Sequence, residues 1–533
     1  YVLDDLHTFK GMVGFQAEEN SWKRIGLSKY DMISESVTDV GTTMGEAASE
    51  SYGRNHWATA GFFGRINYDY AGRYLAEVNL RYDASSRFSP DTRWALFPSF
   101  SLGWNIAREE FWEPYTNAVN TLKLRGSWGQ LGNQNTTNLY TYIQTMPFYP
   151  STNTSKNTWL INGNRLNGST APGLISSTLT WETMSSWNIG ADFGFLNNRL
   201  TASFDYFVRK TFDMVGPAPE LPEILGTAVP RANNADLQSN GFELDLTWRD
   251  QIKDFSYGVH FLLSDDRQKV LKYPNDAGSL GTWRNGQYLN EIWGYTTIGI
   301  AKSQEEMDAH LATLPNGGQF GTSGWTEGDI MYADLNGDGV VNSGSNMEGN
   351  SGDWTKIGDS TPRFKFGLDL DASWKGFDLR IFLQGVAKRD YVFGSGHLVY
   401  WGNAGGVWNS AMFESNYDFY RPADDTWLGA NQDAKFPRLL EDGKNRYAQT
   451  RFLENAAYIR LKNLQIGYTL PKTLTQKAGI SNLRIFFSGE NLFTITGLPD
   501  GIEPETIGIG DYGNGSGSYP LTRVFSTGFS VNF

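Results

Sequence analysis

Cysteine does not occur among the 533 residues. That excludes a disulfide framework, thiolate metal sites and thiol nucleophiles. Histidine is scarce: His7, His56, His260, His310 and His397 stand far apart, without ligand spacing. A basic excess is also missing. Asp and Glu number 58 against 45 Lys and Arg, for a net charge of −13, so a phosphate backbone finds no cationic face and a nucleic-acid partner is excluded. No apolar run reaches the ~18 residues of a membrane-spanning helix. No phosphate loop or nucleophile elbow is found. The GSGSY stretch near Gly515 lacks the strand–turn–helix context that a catalytic serine needs. No catalytic residue is assigned, and an enzyme is not expected. The opening YVLDDLHTFK has neither an initiating Met nor a basic and apolar leader, and reads as a piece of a longer chain.

What the sequence has is aromatics, glycine and strict alternation. Phe, Tyr and Trp make up 14% of the residues, and Gly numbers 59. In FFGRINYDY, Phe62, Ile66, Tyr68 and Tyr70 share one parity, and Arg65, Asn67 and Asp69 the other. In YLAEVNLRYD, Tyr74, Val78, Leu80 and Tyr82 oppose Glu77, Asn79 and Arg81. The pair reads as a hairpin over Ala71-Gly72-Arg73. Charges of both signs on one face would not suit a dry core. They suit a water-filled lumen, so Arg65, Asn67, Asp69, Glu77, Asn79 and Arg81 are assigned to it, with the aromatic parity facing lipid.

The same pattern recurs in WNIGADFGF with LTASFDYFV, FELDLTW with FSYGVHFLL, FKFGLDLDASW with FDLRIFLQG, and IRLKNLQIGYTL with LRIFFSGEN. The turn of the second of these pairs is set at Arg249 to Asp254. The chain closes on RVFSTGFSVNF, where Phe525, Thr527, Phe529, Val531 and Phe533 alternate with small polar residues. About fifteen strands of barrel length are counted. Tyr and Trp gather at strand ends, where the interface girdles of a membrane barrel lie. Residues 130–183, 213–240, 265–290, 302–361 and 388–455 are too long for ordinary connections, whereas most turns at the other end are short. The fold class is therefore all-β: a transmembrane antiparallel barrel with long extracellular loops and short periplasmic turns. All of 1–533 is read as one domain. Within it, 302–361 is an extracellular loop holding a DLNGDG turn and a short helix that begins at Ser303, with Glu306 completing a capping box.

Two loop features point to sites. In DLNGDGVVN, Asp334, Asn336, Asp338 and the Val340 carbonyl stand at positions 1, 3, 5 and 7 of an EF-hand-type loop, with Gly339 at position 6. Position 12 is Ser345 rather than Glu. Either a structural Ca²⁺ sits there or the Asx side chains turn onto their own backbone; no cofactor is required. Trp283, Tyr400, Trp401 and Trp408 are the candidate substrate-binding residues, since aromatic rings stack on the C–H faces of sugars. The alternative is that they fill small cores within the loops.

Seven stretches, in order, resemble the SusC/RagA family of TonB-dependent outer-membrane transporters. They are FFGRINYDYAGRYLAEVNLRYDASSRF, RWALFPSFSLGWNIAREEF, LKLRGSWGQLGNQN, GDIMYADLNGDGVVN, KGFDLRIFLQGVAKRD, ENAAYIRLKNLQIGYTLP and LRIFFSGENLFTITG. The resemblance implies a plugged barrel of about 22 strands, a SusD-like lipoprotein lid, energy from a TonB complex, and nutrient import through the outer membrane. The expected cargo is an oligosaccharide, with peptide uptake, a passive porin and a secreted glycan-binding protein as alternatives. The plug and TonB box of the family find no counterpart in these residues, so the chain is expected to be the C-terminal part of the barrel. The lid is expected to touch residues 391–408 and 281–295.

Overall fold

A computed structural model of the chain describes residues 1–37, 39–135, 139–218, 229–405, 412–508 and 521–533. Fifteen strands form one antiparallel sheet in which each strand pairs with its neighbours in sequence. They are β1 Val2–Leu3, β2 His7–Lys29, β3 Ala47–Tyr70, β4 Tyr74–Ser85, β5 Trp94–Asn105, β6 Val119–Asn133, β7 Glu182–Phe195, β8 Leu200–Val215, β9 Asn233–Ile252, β10 Phe255–Lys272, β11 Arg363–Trp374, β12 Phe377–Lys388, β13 Tyr458–Thr469, β14 Asn482–Thr496 and β15 Val524–Asn532. No described helix is long and apolar enough to cross a membrane, which leaves crossing by strands open.

The register keeps like residues opposite like. Phe62 faces Tyr82, Ile66 faces Val78 and Tyr70 faces Tyr74, while Arg65 faces Asn79 and Asn67 faces Glu77. At the C-terminus, Ile485 faces Phe529 and Leu483 faces Val531, whereas Arg484 faces Ser530. A strand turns successive side chains to opposite faces. The sheet therefore has one apolar, solvent-bared face and one polar face. Val78, Leu80, Leu102, Ile189, Phe525 and Phe529 all lie bare on the first. A row of rings crosses this face near the short turns, from Tyr70 to Tyr74 to Trp104. A second row runs Phe15, Phe62, Trp94, Tyr82. Tyr70 and Phe62 lie eight residues apart on one strand, about 26 Å along it. Tilted by about 40°, that becomes about 20 Å, near the ~25 Å apolar band of a membrane barrel.

The connections are mostly short at one end of the sheet and mostly long at the other. At one end they cover residues 4–6, 71–73, 106–118, 196–199, 253–254, 375–376 and 470–481. At the other they cover 30–46, 86–93, 134–181, 216–232, 273–362, 389–457 and 497–523. The tightest turns use left-handed backbone: Ala71 and Gly72 at φ 50° and 64°, Lys375 and Gly376 at 44° and 91°. Positive φ at both central residues matches the twist of the flanking strands. The β9–β10 turn is shorter than the sequence suggested. The strands continue to Ile252 and from Phe255, so two residues close it rather than six. Alternation also understated β3, of which FFGRINYDY is only the last part: it is 24 residues long, and its partner β2 is 23. A spanning strand needs only about 9–11. The extra length lies in polar sequence such as QAEENSWKR, which pairs residue for residue with β3 beyond the aromatic rows.

The main hydrophobic core among the described residues is in the long loops, not in the sheet. Residues of 273–362, 389–457 and 497–508 pack together around Tyr295, Met307, Trp325, Ile330, Tyr332, Tyr400, Trp401, Phe436 and Phe452. Short ribbons frame this platform, pairing Thr297–Ile300 with Ile330–Tyr332 and Asp390–Val392 with Leu453–Asn455. The helix expected at Ser303 is present as α1, Gln304–Ala312. Ser303 Oγ accepts from the Glu306 N–H at 3.3 Å. The Glu306 carboxylate accepts from the Lys302 N–H at 2.6 Å, one residue further out than a capping box requires.

Candidate functional site

The polar face of the sheet is a hydrogen-bonded lattice. Arg65 Nε donates to Asn79 Oδ1 at 2.5 Å, Asn79 donates to Glu77 at 2.7 Å, and Asn67 also donates to Glu77. Arg81 forks onto Asp83 with two 3.0 Å bonds. Further round, Arg125 ties Asp192 (2.8 and 2.9 Å) to Asp205 (3.0 and 2.9 Å) across three strands. Arg380 pairs with Asp369, and Arg484 with Asp378. A cavity of about 550 Å³ lies on this face, lined by Asn67, Asp69, Glu77, Lys123 and Arg125 among others. The six residues assigned to the lumen share this polar face.

The expected aromatic site does not form. Tyr400 is 1% exposed and Trp401 4%, both inside the loop core. Tyr400 stacks on Phe393, and its hydroxyl donates to Glu454 Oε1 at 2.5 Å. Trp401 packs edge-on to Phe452, and its indole N–H reaches the Gly394 carbonyl at 3.0 Å. Rings held this way cannot stack on a sugar, so the assignment of both as binding residues is corrected to packing. Trp283 is half-buried beside Tyr273, with ring centroids 5.4 Å apart. Trp408 lies outside the described residues.

The platform is pinned by one buried carboxylate. Asp329 is fully buried. It receives Arg438 Nε at 2.6 Å, Lys444 Nζ at 2.9 Å, Asn445 Nδ2 at 2.8 Å and the Thr326 N–H at 3.0 Å. Burial pushes its pKa up, but these donors outweigh burial and hold it below the ordinary Asp value. Burial raises the Tyr332 phenol well above its usual range and pushes Tyr295 to about 12, so both stay neutral.

In the DLNGDG turn, Asp334 accepts from the Gly337 and Gly339 N–H groups at 2.7 and 2.8 Å. Asp338 Oδ1 accepts from the Val340 N–H at 3.0 Å, and Asn336 Oδ1 from the Asp338 N–H at 3.0 Å. Val340 and Val341 pair in parallel with Gly318 and Gln319. Among the described residues no three His, Asp or Glu side chains converge on a point. The side chains are organised as Asx turns.

A feature with no sequence signal lies at the ends of β6 to β9. There, described residues of 139–182 together with Val215 and residues 229–231 line a cavity of about 460 Å³. Leu139, Ile143, Leu174, Ile175 and Leu179 line it. A second cavity of about 230 Å³, holding Tyr273 and Trp283, adjoins it, and Val215 and Arg231 line both.

A family model described as "TonB dependent receptor-like, beta-barrel" matches residues 3–492. The chain belongs to this family. It is 28% identical to the TonB-dependent receptor P3 of Formosa agariphila over 497 residues, covering 88% of the chain and 45% of that relative. With the TonB-dependent receptor SusC of Bacteroides thetaiotaomicron the identity is 28% over 490 residues, or 89% of the chain and 43% of SusC. The RagAB peptide transporter superposes with a TM-score of 0.75 at 22% identity, over all of this chain and 54% of that one. The chain thus spans about half the length of these relatives, and it is similar to the SusC/RagA branch in both sequence and fold. The protein is an integral β-barrel protein of the outer membrane. Its apolar face meets lipid, and its family is one of receptors rather than enzymes.

Proposed function

We propose that the protein forms the barrel of a TonB-energised outer-membrane importer whose cargo is peptide, admitted beneath a SusD-like lipoprotein lid. The polar lattice holding Arg65, Glu77 and Arg125 then lines the lumen. One observation carries the choice of cargo. Tyr400 and Trp401, which would have offered rings to a sugar, are sealed inside the loop core, while the open cavity at the rim presents Leu139, Ile143, Leu174, Ile175 and Leu179 between polar side chains. Aliphatic pockets take apolar side chains, and sugars favour flat aromatic faces. The similar RagAB structure is that of a peptide transporter. This replaces the oligosaccharide favoured by the sequence, which counted the loop Trp residues without knowing their burial.

The lid surface extends further. Phe393, Tyr400, Trp401 and Tyr295 are buried within the stretches 391–408 and 281–295 expected to meet it, whereas Ile143, Met146, Phe148, Trp159, Leu160 and Ile161 stand bare on one loop. A partner that buries this arm removes an apolar patch that a lone protein would not leave in water. Within the same reading, a Ca²⁺ ion on Asp334, Asn336, Asp338 and the Val340 carbonyl would stiffen the platform without touching cargo.

The test is uptake by whole cells of labelled peptides and of labelled oligosaccharides, with the gene intact or deleted. The proposal expects deletion, or an uncoupler that collapses the energy supply, to abolish peptide uptake alone. Persistent uptake under the uncoupler would mark a passive porin. Loss of oligosaccharide uptake with peptide uptake intact would refute the choice of cargo.

A further inference from the structure

Arg231 stands where the two rim cavities meet, and it lines both. It is exposed, and its guanidinium has no hydrogen bond or ion pair among the described residues. Several arginines of the sheet and its rim are engaged in ion pairs, among them Arg125, Arg363, Arg380, Arg460 and Arg484; what sets Arg231 apart is its place between the two cavities. The single carboxylate among the described lining residues, Glu182, is already occupied. Its Oε2 accepts from Asn133 Nδ2 at 2.7 Å, and its Oε1 from the Val215 N–H at 2.9 Å. In a chain of net charge −13, a cation with no ion-pair partner among the described residues, at the mouth of an apolar cavity, is a local reversal of sign. A guanidinium presents a planar fork that matches a carboxylate with two parallel hydrogen bonds.

We infer that Arg231 is the carboxylate-recognising residue of a cargo subsite. It holds a carboxylate of the peptide at the junction, while an adjoining apolar side chain enters the cavity of about 460 Å³ beside Leu174 and Ile175. The larger cavity is within the size range of ligand pockets. Its Leu and Ile lining contributes burial of apolar surface, and Arg231 contributes orientation. The inference rests on the peptide reading above. The carboxylate comes either from the peptide's C-terminus or from an Asp or Glu side chain, and the chemistry at Arg231 is the same for both.

The experiment uses the whole transporter, purified from native membranes with its partners. Leucine-rich fluorescent peptides are titrated in three forms: with a free C-terminus, with an amidated C-terminus, and amidated but carrying one internal Glu. In wild type, the amidated peptide without Glu should bind about tenfold or more weakly than the best carboxylate-bearing form, as loss of a charged hydrogen-bond pair implies. Whichever carboxylate restores binding identifies the source. Arg231→Gln should weaken the acid forms by a similar factor and become indifferent to amidation, while Arg231→Lys should keep part of the preference. Ile175→Trp, which fills the cavity, should weaken every form. Equal binding of all forms to wild type, or an undiminished acid preference in Arg231→Gln, would overturn the subsite and leave peptide import standing. Failure of every peptide alongside binding of oligosaccharides would overturn the cargo reading itself.

Discussion

Replacing Asp329 with Ala should unfold the loop platform and spare the sheet. The magnitude follows from what is left behind. Lys444 is 6% exposed, and its Nζ has two partners, Asp329 Oδ2 at 2.9 Å and the Gly324 carbonyl at 2.8 Å. Without the carboxylate, a nearly buried ammonium keeps one carbonyl. Arg438 is about a third exposed and can turn to water. Breaking one side of a buried pair costs about 3–5 kcal/mol, a large share of the ~5–15 kcal/mol that holds an ordinary domain. Hydrogen exchange read by mass spectrometry should show protection lost over 295–345 and 436–452, with β3 to β5 unchanged. The double variant Asp329→Ala/Lys444→Met should recover part of that protection, because the orphaned charge is gone. Acid should mimic the single variant. The folded pKa lies below the unfolded value of about 3.9, so this contribution is complete above about pH 4 and is lost as pH falls through the folded pKa. Unchanged protection in Asp329→Ala, or a double variant no better than the single, would show that the carboxylate is not what pins the platform.

Three further outcomes test other parts of the structure. Val78→Lys should lower the stability of the barrel refolded in lipid vesicles by about 2–4 kcal/mol, while Asn79→Lys, one residue on and on the polar face, should change it little; equal losses in urea titrations would undo the assignment of faces. Trp401→Ala should cost the platform about 3–5 kcal/mol through a core cavity, whereas Trp159→Ala, at a residue 85% exposed, should leave loop protease resistance intact and weaken lid co-purification. If Ca²⁺ occupies the DLNGDG turn, a chelator should speed proteolysis of 302–361, and Asp338→Ala should remove that sensitivity; identical digestion in all cases would reduce the motif to a turn.

How much could be read from the residues depended on whether their meaning is local. The faces of β3, β4 and β15 follow from parity, because a strand reverses its side chain at every step. Ala71-Gly72 and Lys375-Gly376 announce their turns through the backbone they require. Ser303 announces the start of α1. Tyr400 and Trp401 announce nothing comparable. A ring in YWGNAGG has the same sequence signature whether it awaits a ligand or packs against Phe393 and Phe452, which are brought to it from 7 and 51 residues away. Arg231 is less legible still. VPRANNAD carries no motif, and the residue matters only because residues such as Leu139, Leu174 and Ile175 come together beside it. The lengths of β2 and β3 were missed because their outer halves drop the apolar parity that marks a membrane-facing strand.

The burial of the aromatic residues bears on mechanism as well as on cargo. Three loops that share one core, with Asp329 at its centre, cannot each move freely, because displacing one exposes the rings of the others. A rim of that kind serves as a fixed wall against which a lid closes. Among the described residues, 139–181 and 229–232 contribute nothing to that core. These residues carry the bare apolar arm and Arg231 and line the larger rim cavity, whereas Tyr273 and Trp283 of the platform loop help to line the smaller one. Cargo contact and lid contact therefore fall on the same two loops, so a bound peptide can change the surface the lid meets without disturbing the platform. Crosslinking the two loops should accordingly impair lid closure on cargo more than it impairs assembly of the barrel, and a crosslinked protein that still closes on peptide would place the responsive element elsewhere.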